Sequence, residues 1–232
     1  MPQIIFVRAK RKAGGNDAFT KLLLHFDGAD GATTFTDSSA ANRTISLSGD
    51  PEIDTAQSKF GGASGLFNNG YLQAPDDADL EFGSSDFTMD MWIRSSSFAG
   101  GYHPICLRGT ASDYYTGFHH NGTSLYFTGT TNNAGYNFSA LSAITGVTLA
   151  TNTWHHIAAV RSGNNLYLFF DGTLKETRNV TGLSVYNFGH GWCIGANASG
   201  TGPFAGWIDE LRISVGIARW TANFTPPTAP YI

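Results

Sequence analysis

Cysteine is nearly missing from this chain, with only Cys106 and Cys193 among 232 residues. Each lies in an apolar, strand-like stretch, so buried thiols are expected in preference to a disulfide, and no cysteine spacing suits a metal. Charge is sparse too, at 14% of residues. No apolar run reaches membrane-spanning length, which argues against membrane insertion. Met1 to Val7 is too short for the apolar segment of a secretory signal, and its charges follow it instead of preceding it, so the chain is expected to be made in the cytoplasm. A helical apolar period is never held for more than a few turns.

What is abundant is glycine and aromatic side chains: 28 Gly, 17 Phe, 9 Tyr and 5 Trp. That composition favours strands joined by tight turns, in one large all-β domain or two small ones. The net charge of −4 hides an asymmetry, because Arg8, Lys10, Arg11 and Lys12 supply four of the 14 basic residues. The rest of the chain is acidic, which argues against a nucleic-acid-binding body. Residues 1–20 read as a basic N-terminal arm ending in a flexible Ala13-Gly-Gly-Asn-Asp17 joint. Residues 21–232 read as the globular domain.

Strand-like segments follow at spacings of roughly 8–12 residues, the pattern of a sandwich or barrel. They include Leu22 to Asp27, Thr44 to Leu47, Tyr71 to Pro75, Pro104 to Arg108, Tyr114 to His119, Ser124 to Thr128 and Tyr136 to Phe138. Trp154 to Arg161 and Leu166 to Asp171 form a hairpin. In the Phe87 to Arg94 segment, Phe87, Met89, Met91 and Ile93 share one face and Thr88, Asp90, Trp92 and Arg94 the other. Asp76, Asp77, Asp79 and Glu81 are expected in a solvated loop. His119 and His120 point to opposite faces of a strand, so they cannot share one metal and read as polar edge residues.

The closing stretch Phe204 to Ile213 places Trp207, Asp209, Leu211 and Ile213 on one face and Ile208, Glu210 and Arg212 on the other. A carboxylate in an apolar row needs a partner. Asp27 is a candidate, with Ca2+ bridging it to Asp209; hydrogen bonds from backbone amides to Asp209 are the other reading. Catalytic patterns are missing. No Glu-x-Asp-x-x-Glu pair of the retaining glycosidase kind occurs, adjacent Asp209 and Glu210 point opposite ways, and no serine elbow accompanies the histidines, so the chain reads as not an enzyme.

Leu23-Leu24-His25-Phe26-Asp27, Phe87-Thr-Met-Asp-Met-Trp92, Trp154-His-His-Ile-Ala158, Leu168-Phe-Phe-Asp-Gly172 and Gly206-Trp-Ile-Asp-Glu-Leu-Arg-Ile213 occur in the order found in laminin-G-like, concanavalin A-like jelly-roll domains, which residues 20–227 resemble. Gly216 to Pro227 is similar to the ending of such domains in bacteriophage tail-fibre and virion-surface proteins. The resemblance implies an all-β, two-sheet antiparallel jelly-roll sandwich whose first and last strands are adjacent. It also implies a structural Ca2+ held by the carboxylate at Asp209, with Asp27 a looser match.

The reading that follows is a non-catalytic virion protein, attached to other virion proteins through residues 1–20, whose lectin-like domain binds glycan. Trp92, Arg94, Tyr114, His119 and Trp192 are the ligand candidates, as aromatics and their polar neighbours. For Trp92 the alternative is a ring covered by a loop. A decoration protein with only protein partners is the rival for the whole chain, a glycoside hydrolase a weaker one, and a homo-oligomer is left open.

Overall fold

Apolar residues two apart mark the core faces of the segments at 87–95, 124–128 and 165–170, whereas those at 116–121 and 155–162 are buried nearly throughout. The computed structural model describes residues 15–109, 114–139 and 141–232, so the basic run at Arg8 to Lys12 lies outside the described residues. The strands are β1 (Thr20–Leu24), β2 (Ser46–Gly49), β3 (Glu52–Asp54), β4 (Ser64–Phe67), β5 (Gly70–Gln73), β6 (Phe87–Ser95), β7 (Tyr102–Arg108), β8 (Thr116–Asn121), β9 (Ser124–Thr128), β10 (His155–Ser162), β11 (Asn165–Phe170), β12 (Thr173–Asn179), β13 (Trp192–Ile194) and β14 (Gly206–Val215). Among the described residues the one helical element is a 3-10 turn at Ala78–Leu80, and no helix is long and apolar enough to cross a membrane.

The strands form two antiparallel sheets. The larger runs β12-β11-β10-β6-β14-β4-β3, with β1 also paired to β14; the smaller runs β2-β5-β13-β7-β8-β9. The main core fills the space between them: Phe87, Met89, Met91 and Ile93 of β6 meet Phe118, Phe127, Trp192 and Ile194. The first and last strands are therefore neighbours, as the jelly-roll expectation requires.

β14 departs from its expected period. Gly206, Trp207 and Ile208 pair with β4, whereas Leu211 to Ser214 pair with β1, and between these partners the β6 register jumps from Asp209 to Arg212. Glu210, at φ 51°, forms this bulge in the left-handed region. The extra residue shifts the phase, so Ile208, Leu211 and Ile213 all enter the core. Trp207, Asp209 and Leu211 thus do not share a face.

Residues 216–232 cross the outer side of the large sheet. The rings of Trp220 and Phe224 stack at 4.0 Å, and Trp220 packs with Ala158, Val160 and Phe169 in a second apolar cluster. The segment ends where the domain starts: Asn16 N–H donates to the Ile232 carbonyl at 2.8 Å, and Arg219 pairs with Asp17 at 2.9 Å. Gly15 to Thr20, expected in the arm, are thus fastened to the domain.

Three other local expectations change. Tyr136 to Phe138 form no strand. Their neighbourhood is turned by side-chain bonds, with Asn137 Oδ1 accepting from Thr131 N–H at 2.7 Å and Asn132 Oδ1 from Ala134 N–H at 3.1 Å. The acidic run is not simply solvated, since Asp77 pairs with buried Arg43 and Asp76 with buried Arg108. His119 and His120 are not edge residues either. β8 lies between β7 and β9, and both imidazoles are buried.

Candidate functional site

Two places collect polar and aromatic chemistry. The first is the β14 bulge. Asp209 Oδ2 accepts the Lys59 and Phe60 amides at 2.7 and 3.1 Å, while its buried Oδ1 has no partner. Burial pushes the Asp209 carboxyl up to about 7; the two amides oppose this and the charges of Glu210 and Asp27 add to it. Glu210 is occupied, with Oε1 2.6 Å from His25 Nδ1 and Oε2 accepting Tyr231 N–H at 2.8 Å. The hydrogen bond to Glu210 raises the His25 pKa, against burial.

Asp27 lies against Gly61, where an added Cβ would come within 1.8 Å of Asp27 Oδ1. Burial raises the Asp27 carboxyl as well. Phe26 and Glu210, both non-glycine residues with positive φ, flank the two aspartates in sequence. A cavity of about 290 Å³ opens beside Asp27, lined by His25, Phe35 and Ile53 among others. The orphaned Oδ1 and the Asp27 carboxylate are hard oxygen donors that fit Ca2+. No group of three His, Cys, Asp or Glu side chains suited to a metal occurs among the described residues, so a cation here would draw its other oxygens from main-chain carbonyls and water.

A second carboxylate on the same outer face is closed off. Asp90 is fully buried and receives Arg212 Nε at 3.0 Å and Nη2 at 3.2 Å; the Tyr231 hydroxyl also donates to it, and His156 Nε2 lies 3.4 Å away. Burial alone would raise its pKa, but the charge of Arg212 together with His156 holds it down at about 2. Every Asp90 oxygen is thereby engaged.

The second place is the outer face of the small sheet. Phe118 points into the core, so His119 points out, directly opposite Tyr126 of β9. Their rings stack at 4.7 Å. Tyr102 and Tyr115 flank His119 at 4.9 and 5.5 Å, and Tyr136 meets Tyr115 at 5.1 Å and Tyr114 at 5.0 Å. Six side chains thus form one aromatic sheet surface, with Tyr114 40% exposed at its rim. Burial, with the proximity of His120, pushes the His119 pKa down to about 3. Burial raises the phenols of Tyr102, Tyr115 and Tyr136.

The sequence candidates scatter across these places. Tyr114 and His119 join the aromatic face, and Asp27 lies close enough to the bulge for its charge to act on Asp209. Trp192 does not reach the surface: it is 1% exposed between the sheets, its Nε1 donating to the Leu80 carbonyl at 3.1 Å. Trp92 is covered by a loop, with Lys59 Nζ 3.9 Å from its ring centre and Phe60 edge-on at 6.1 Å. Arg94 donates from Nε to Gln57 at 2.9 Å and lies 5.2 Å from the Trp207 ring. Tyr102, Tyr115, Tyr126 and Tyr136 are not among the ligand candidates of the sequence; the signal that points to Tyr126 is its position opposite His119 across a short hairpin.

Two antiparallel sheets with adjacent first and last strands define a concanavalin A-like sandwich. Residues 66–216 match the laminin G-type family model of the concanavalin A-like lectin/glucanases superfamily, and the chain belongs to that family. Among solved structures it is similar to the botulinum neurotoxin serotype G binding domain (17% identity, TM-score 0.62, 88% of this chain and 48% of that one). It is likewise similar to domain 4 of AbnA, an extracellular arabinanase from Geobacillus stearothermophilus, in complex with arabinotriose (18%, 0.59, 86% and 93%). A third is the binding domain of botulinum neurotoxin DC in complex with rat synaptotagmin II (15%, 0.61, 84% and 48%). The chain spans about half the length of these neurotoxin domains. No curated protein sequence matches it.

Proposed function

We propose that the chain is a non-catalytic recognition module whose outer small-sheet face binds glycan. The observation that carries this reading is the contiguous cluster of Tyr102, Tyr114, Tyr115, His119, Tyr126 and Tyr136. Aromatic rings offer apolar area to the C–H face of a sugar, and phenol and amide groups orient its hydroxyls. The arabinotriose complex of a structurally similar domain supports the ligand class. Engagement of Asp90 by Arg212 and of Glu210 by His25 supports a non-catalytic role. Ca2+ at Asp27 and Asp209 would brace the junction of β1, β4 and β14 without touching the aromatic face.

Display on a virion, with the part of the expected 1–20 arm that precedes Gly15 as the attachment segment to other virion proteins, rests on the phage-like ending at Gly216 to Pro227. Deleting residues 1–12 should abolish incorporation into particles while leaving the domain folded; full incorporation would remove the arm as anchor. For glycan binding, a glycan array on the full chain should give hits that Tyr114→Ala weakens. An array without hits, with and without Ca2+, would leave the face as a protein contact, for which Tyr is equally suited.

A further inference from the structure

The aromatic face is as notable for its lack of charge as for its rings. β8 and β9 contain no Lys, Arg, Asp or Glu. The one charged side chain of β7, Arg108, is directed to the His190 and Leu80 carbonyls and to Asp76 and Asn187. Glu176 and Arg178 reach Thr145 and Ser142, next to Ala143, the bridge partner of Tyr126. They neutralise each other at 2.6 Å.

Among the described residues, the rim beside Tyr114 is built from uncharged groups. Asn133 Oδ1 accepts the Tyr114 N–H at 2.9 Å, and Asn132, Asn137 and Thr131 form a bonded amide and hydroxyl cluster next to Tyr136. His119 brings no cation to the face, because its buried ring is held neutral at ordinary pH. Its Nδ1 is buried without a partner.

We infer that the ligand of this face is a neutral saccharide chain and not an acidic glycan. The inference rests on the glycan reading above and narrows it. A carboxylate or sulfate moved onto this surface would lose hydration without gaining a cationic partner among the described residues, whereas hydroxyls find phenols and amides. Beyond the first twelve residues acidic side chains outnumber basic ones, so the body of the protein also repels polyanions at long range.

The test uses the full chain carrying Arg8→Gln, Lys10→Gln, Arg11→Gln and Lys12→Gln, so that the basic run cannot capture polyanions. Affinity electrophoresis is run against neutral polymers (arabinan, β-glucan, galactomannan) and acidic ones (polygalacturonate, polysialic acid, dextran sulfate). The expected result is retardation by a neutral polymer, changed less than about twofold between low and high salt. Tyr136→Ala should weaken it about tenfold or more, and Tyr114→Ala, at an exposed position, gives a second variant if Tyr136→Ala misfolds. Retardation by acidic polymers that these variants weaken would overturn the inference and leave the glycan reading standing. No retardation by either class would overturn both.

Discussion

Asp90 and Arg212 form an ion pair with no solvent exposure on either side chain, Nε to Oδ1 being 3.0 Å, and Tyr231 from the end of the crossing segment seals it. Its hydroxyl donates to Asp90 while its ring lies 3.7 Å from the Arg212 guanidinium carbon. Three distant stretches of sequence are thereby locked on one face of the large sheet.

Breaking this lock from one side leaves a buried charge. Arg212→Met should cost about 3–5 kcal/mol, whereas Tyr231→Phe, which keeps the ring on Arg212, should cost about 1–3 kcal/mol. Chemical denaturation of the two variants measures both. Equal costs would show that the Tyr231 hydroxyl matters to Asp90 as much as the Arg212 charge does.

The same pair sets an acid dependence. Asp90 is held at about 2, below its usual 3.8, so its contribution is present above pH ~4 and is lost as pH falls through the folded value. The stability gap between the wild type and Asp90→Asn should therefore narrow by on the order of 2 kcal/mol between pH 4 and pH 2. A gap that stays constant over that window would mean Asp90 titrates normally.

At the bulge, millimolar Ca2+ should raise the melting temperature, and Asp209→Asn should abolish the rise. Gly61→Ala should reduce the rise as well, because its Cβ would press into Asp27 Oδ1 at 1.8 Å and its φ of 65° disfavours any side chain. A melting temperature indifferent to Ca2+ would leave Asp209 with its two amide hydrogen bonds alone.

Binding and stability should separate between two aromatic positions. Tyr114→Ala, at the exposed rim, should change stability by no more than about 0.5 kcal/mol while weakening ligand binding. Trp192→Ala should cost about 3–5 kcal/mol through a core cavity. Calorimetry with the neutral polymer that binds, together with urea titration, reads both quantities. Normal stability of Trp192→Ala would contradict its place between the sheets.

Part of the fold was legible because apolar residues two apart mark the core faces of strands such as β6 and β11. Phe87 to Ile93 announce their core face, and Asn165 to Phe170 complete a hairpin whose partner is fixed by a short turn. Reasoning by period failed at Glu210, where a single left-handed residue shifts the phase, and nothing in Ile208-Asp-Glu-Leu211 signals a bulge. The same blindness hid the true partners. Asp209 is met by backbone amides of residues 150 and 149 positions away, and Arg212 finds Asp90 across a strand pair, contacts that alternation cannot forecast. Trp92 and Trp192 were attractive as ligand residues because of their type. Burial decides accessibility, and it follows from which loop folds over a strand. The tyrosines of the small sheet become a surface only where β7, β8 and β9 lie side by side.

The hydrogen bond between Asn16 and Ile232 makes the described chain nearly a closed ring. Where the numbering starts around that ring is, for the two sheets, almost arbitrary. A covalent link from residue 232 to residue 15, with new ends cut between the exposed Gly163 and Asn164, would preserve every strand pairing and leave the folding information intact in cyclic order.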